Sequence, residues 1–128
     1  MSEKVYFIKL KDNASIPEQV EALQKLFVAG DLDRVVAKND FVAIKMHVGE
    51  KNNTTHLRPE LIKAVVDRAK AAGGQPFLTE TSTLYKGERE NAVKHIMHAH
   101  RHGFGIDQVG APFIMADGLT GNTEYEVQ

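Results

Sequence analysis

Cysteine is absent from this 128-residue chain. Its absence excludes disulfides, a thiol nucleophile, a cysteine-ligated zinc site and an all-cysteine iron–sulfur cluster within the chain. Net charge of either sign is also lacking: 16 basic and 17 acidic side chains leave a formal charge of -1. That balance, with no basic cluster and no aromatic–basic interleaving, removes the footprint of a nucleic-acid binder. No apolar run approaches the ~18–20 residues of a membrane span. Met1-Ser2-Glu3-Lys4 has no apolar stretch of a leader behind it, so a cytoplasmic location without membrane partners is expected. With 42% apolar and 26% charged residues, the composition is that of an ordinary globular protein. The length suits one domain, residues 1–128, able to bury a core without staples.

Strand and helix signals alternate along the chain. Val5-Tyr6-Phe7-Ile8 is a short β-rich run that predicts a first strand. Ser15, Pro17 and Glu18 then form a helix start, with Ser15 as cap, Glu18 completing a capping box and Pro17 where its missing N–H costs nothing. Val20, Leu23, Leu26 and Phe27 give this helix an apolar stripe, and Gly30 ends it. A short amphipathic turn from Leu32 to Val36 leads to Asn39-Asp40. Phe41 to Val48 predicts a strand with one wholly apolar face (Val42, Ile44, Met46, Val48) and another turning polar at Lys45 and His47. Pro59 opens a helix that Gly73-Gly74 closes, and Pro76 to Thr79 predicts a further strand. A helix from about Glu88 to His102 precedes Pro112 to Ala116, a last clear strand ending at Asp117-Gly118. Strands separated by helices imply right-handed βαβ crossovers. The predicted fold is α/β: three layers, a mostly parallel sheet with helices on both faces, Rossmann-like. Thr123, Tyr125 and Val127 begin another alternating pattern where the sequence stops. A sheet truncated at its C-terminal strand, in the N-terminal part of a longer protein, is therefore expected. An exposed edge of that kind favours a homodimer.

Open α/β sheets bind ligands outside the C-terminal ends of their parallel strands. Those ends carry Lys45, His47 and Glu50 from one strand, Glu80, Thr81 and Thr83 from the next, and Asp117 from the last. Lys45, His47, Glu80 and Asp117 are the catalytic candidates. His47, Glu80 and Asp117 form a candidate ligand set for a divalent metal. The same groups suit acid–base work, with Lys45 holding an anion or lowering a carboxylate pKa. Strand ends also collect polar residues merely because strands finish at the surface, and this reading stays open beside the functional one.

The loop Gly49 to Thr55, with Asn53 and Thr54, precedes a helix N-terminus that favours anions. It lacks the glycine spacing of a nucleotide loop. Arg58 is a candidate clamp for a carboxylate or phosphate, or a solvated surface arginine. Tyr85 and Arg89 are candidates to cover a ligand, unless Tyr85 only packs under its loop. No Gly-x-Ser-x-Gly elbow supports a nucleophilic serine. In the histidine-rich helix, Ala92, Val93, Ile96, Met97 and Ala99 define the predicted buried arc, with His100 in it as a core histidine. His98 and His102 then fall on a solvated flank that chelates metal only incidentally. His95, near the helix start, is kept as a ligand-binding candidate.

The segments Val42 to Glu50, Leu57-Arg58-Pro59-Glu60 and Pro76 to Gly87 carry a resemblance. So do Arg89, Asn91-Ala92-Val93, His95, Gly103-Phe104, Ala111-Pro112 and Ala116-Asp117-Gly118. Together they resemble the N-terminal part of the family called domain of unknown function 362. Glu80 and Ser82 stand where the family pattern has Asp and Asn. The resemblance implies a longer parent with a C-terminal ferredoxin-like [4Fe-4S] module, its cysteines beyond Gln128, and supplies no reaction. Two functions are expected from different classes. One is a ligand-binding domain for a small anion, with or without a divalent metal and with or without catalysis on the ligand. The other is a non-catalytic scaffold that presents the iron–sulfur module.

Overall fold

The computed structural model describes residues 4–127. Helix α1 spans Ile16–Ala29 and starts as its sequence predicts. The Ser15 N–H donates to Glu18 Oε2 at 2.8 Å, and the Glu18 N–H donates back to Ser15 Oγ at 3.4 Å. Two otherwise orphaned donors of the first turn are thereby satisfied. A single 3-10 turn follows at Leu32–Val35. Helix α2, Pro59–Ala71, buries Ile62, Ala64, Val66 and Ala69 at helical spacing. It also holds α1 in place: the Arg68 guanidinium lies 5.5 Å from the Phe27 ring centre and 2.6 Å from Asp33.

Strands β1 (Phe41–Lys45), β2 (Gln75–Glu80) and β3 (Phe113–Met115) form one open sheet in the order β1-β2-β3, all parallel. With helices around it, this is the small α/β, Rossmann-like architecture that the sequence predicts. Ile44, Leu78 and Phe113 stand in register across the sheet. Against that face pack Ile62 and Val66 of α2, Ala99 of α3 (Ala92–Ala99), Phe104, and Val109 of the one-turn helix α4 (Ile106–Val109). The opposite face carries Phe41, 79% exposed, and Ile114, 48% exposed, with Phe77 half-buried between them.

Four expectations change. Val5 to Ile8 is not a strand but irregular chain without sheet pairing, exposed from Val5 to Phe7, because a β-rich run needs a neighbouring edge to become one. Thr123 to Val127 likewise forms no strand. Strand β1 ends at Lys45, although Met46 and Val48 still point into the core. The last long helix begins later, at Ala92, where the Asn91 side chain accepts from the Lys94 N–H at 3.0 Å. It gives way at His100–Phe104 to a wider turn. There Gly103, at φ +92°, lies so close to Pro59 that a Cβ would sit 2.6 Å from the proline ring. Only glycine lets this turn rest on the start of α2.

Candidate functional site

The C-terminal ends of β1 and β2 meet in a connected ionic network. Glu80, the last residue of β2, is 5% exposed and receives two cations. Arg89 Nη1 donates to its Oε2 at 3.1 Å, and Lys45 Nζ lies 3.2 Å from its Oε1. Arg89 also donates to Glu50, with Nε at 2.9 Å from Oε1 and Nη2 on the same oxygen. The Tyr85 hydroxyl donates to that carboxylate too, and accepts from Arg89 Nη2 at 2.8 Å. The Tyr85 hydrogen bond, followed by Arg89, holds the Glu50 carboxyl below the usual carboxylate range. Two carboxylates and two cations balance here, so the network is neutral as a whole. It ties the loop after β1 to the segment after β2.

Each remaining candidate has a place. His47 is exposed, and its Nδ1 accepts from the Gly49 N–H at 2.9 Å, which leaves the proton on Nε2. Asp117 stands apart from the network, its Oδ2 accepting from the Ser82 N–H at 2.6 Å. Among the described residues, no group of three or more His, Asp or Glu side chains is arranged to hold a metal ion. The set His47, Glu80 and Asp117 is therefore not assembled as a metal centre: Glu80 is spent on two cations, and Asp117 gives Oδ2 to a backbone N–H while its Oδ1 is buried without a partner. Asn53 Oδ1 accepts from the Thr55 N–H at 2.8 Å, shaping the loop, and Thr54 is exposed. Arg58 is exposed at the N-cap of α2 with no side-chain capping bond. Thr81 is exposed at the end of β2, and Thr83 Oγ1 donates to the Tyr85 carbonyl at 2.9 Å. His95 is fully buried, its ring 5.7 Å from Phe113, with neither nitrogen hydrogen-bonded. Burial, and then the charge of Arg89, lower its pKa to about 4.

The histidine helix is rotated from the predicted orientation: Ala92 and Ala99 are buried as expected, but the rest of the predicted arc is not. Val93 (61%), Ile96 (40%) and Met97 (57%) are exposed, and so is His100, which is not a core residue. His95 and His98 are buried instead. His98 Nε2 donates to the Gly49 carbonyl at 2.9 Å, and His102 Nδ1 donates to the Val48 carbonyl at 2.8 Å. Carbonyls only accept, so these contacts fix the tautomer of each ring. His56 stacks on His102 with centroids 4.6 Å apart, and His98 lies 4.1 Å away on its other side. This packing depends on Gly49, which has φ +86° and would place a Cβ 2.9 Å from His56. Gly49→Ala is expected to destabilise the chain by about 1–3 kcal/mol, measured as a lower urea midpoint at unchanged slope.

Beside the network lies a cleft of about 360 Å³, lined by Lys51, Asn52, Glu88, His98, Arg101 and His102. Sequence reasoning missed it. The available signal was the i, i+4 spacing of His98 and His102, and its meaning depended on which way the helix faced.

Fold and site together define an α/β domain with its polar groups gathered at the ends of parallel strands. The chain belongs to the family described as a domain of unknown function, DUF362, whose sequence profile matches residues 42–128. Comparison with curated proteins and with solved structures returns no match. Among the described residues no helix is long and apolar enough to cross a membrane.

Proposed function

We propose that this chain is a binding domain for a small anion, held at the C-terminal ends of the strands. The observation that carries this reading is the cleft beside the ionic network. The network neutralises itself, whereas the cleft has Lys51 and Arg101 against one carboxylate, Glu88, with two imidazoles in its wall. Its volume lies within the range of small-ligand sites. Lys45 and His47, the exposed polar groups at the end of β1, stand outside the cleft wall. The resemblance to longer family members supports the wider setting: the front domain of a redox-associated parent whose [4Fe-4S] module would lie outside this cysteine-free sequence.

Thermal unfolding in phosphate or citrate, against chloride at matched ionic strength, tests the reading. A bound anion at a hundredfold excess over its Kd should add about 2.7 kcal/mol of stability. Arg101→Met should remove the gain. If neither anion raises the midpoint, the scaffold reading takes its place. That alternative is favoured by a different observation: the open sheet face with exposed Phe41 and Ile114, where a partner module would find apolar surface.

A further inference from the structure

Resting on the small-anion reading, we infer that the cleft takes a tetrahedral dianion, of the sulfate or phosphate-ester class, and binds it together with one proton. Charge bookkeeping leads there first. Of the cleft residues, Lys51 and Arg101 are cationic and Glu88 is anionic, with Glu88 paired to Arg101. The wall therefore carries one net positive charge while both imidazoles are neutral. A dianion is matched only when an imidazole supplies the second.

The imidazoles are built to do so. His98 spends Nε2 on the Gly49 carbonyl, and His102 spends Nδ1 on the Val48 carbonyl. Each ring keeps one nitrogen for a ligand. In the neutral ring that nitrogen offers a lone pair, which repels an anion; once protonated it is an N–H donor. The charge count calls for one proton, and the two rings, with centroids 4.1 Å apart, offer two adjacent places for it. The groups facing the pair are Lys51 and Asn52 from the loop, Glu88 ahead of α3, Arg101 beyond it, and His56 stacked behind His102. Glu50 and Arg89 lie next to this wall but are committed to each other. Asn52, held at φ +64°, adds a left-handed residue to the lip of the cleft, a conformation asparagine tolerates better than most.

Sulfate is the probe of choice, because it stays a dianion across the pH range in which histidine titrates, whereas phosphate does not. Calorimetry on the full chain at constant ionic strength should show sulfate binding about tenfold tighter near pH 6 than near pH 7.5. Heats in buffers of different ionisation enthalpy should report uptake of about one proton. The double variant His98→Gln, His102→Asn keeps an N–H where each ring donates to its carbonyl, but cannot take up a proton. In it the difference between the two pH values should collapse. Wild-type binding that is equal at both pH values, or a double variant that keeps the dependence, overturns the inference and leaves the small-anion reading standing. No sulfate binding at either pH, with no midpoint rise in phosphate or citrate, removes both.

Discussion

Replacing Arg89 with methionine is expected to cost the folded chain about 3–5 kcal/mol. The guanidinium is 7% exposed and bonds to Glu80, whose side chain is 6% exposed. Taking the cation away leaves Glu80 buried with the exposed Lys45 and a long bond from the Thr81 N–H beside its Oε1, and nothing on Oε2. The bond to Glu50 adds less, because that carboxylate is 41% exposed and water screens it. Urea unfolding of Arg89→Met measures the loss. Glu80→Gln in the same background should restore part of it, since a neutral amide can be buried at lower cost than a lone charge. A loss below about 1 kcal/mol would mean that water reaches the pair and that it behaves as a surface ion pair.

The second large effect is on pH. His95 is 0% exposed and its pKa is lowered to about 4, by burial first and the charge of Arg89 next, with Glu80 opposing both. The unfolded chain therefore binds the proton that the folded chain refuses. The stability tied to neutral His95 is fully present above about pH 6.5 and is lost as the pH falls toward 4, amounting to about 3 kcal/mol. His95→Gln has nothing to titrate, so its stability should fall less over that interval. Denaturation midpoints from pH 7 downward would show the two curves converging. Parallel curves would mean that the imidazole is protonated in the folded chain as readily as in the unfolded one.

Local chemistry made much of the framework readable. Ser15, Pro17 and Glu18 announce α1, Pro59 announces α2, and the apolar runs at Phe41 and Pro76 mark β1 and β2, because caps and alternation are written within a few residues. The family match over residues 42–128 likewise agrees with the motifs that carried the resemblance. What could not be read depended on partners distant in sequence. Val93, Ile96 and Met97 outweigh the histidines on any scale of hydrophobicity. The buried side is nevertheless that of His95 and His98, and His98 is satisfied by a carbonyl from the loop after β1. No inspection of the helix alone reveals that acceptor. The same holds for the network. Lys45, Glu50 and Glu80 were legible as polar strand ends, and Tyr85 and Arg89 as residues flanking them, but their mutual neutralisation follows from tertiary pairing. Val5 to Ile8 shows the converse, a segment with strand propensity and no edge to realise it.

The register of the sheet also bears on how the chain assembles. Phe41 faces Gln75, and Leu78 faces Phe113, so each strand meets its neighbour only after an intervening helical segment has been laid down. Neither pairing can begin as a hairpin, and each must close a long loop before it gains any contact. Such topologies fold slowly for their size. Arg89 cannot reach both Glu50 and Glu80 until β1 and β2 are aligned. The ionic network is thus a late event on the folding route, and its formation registers that the two strand ends have come together.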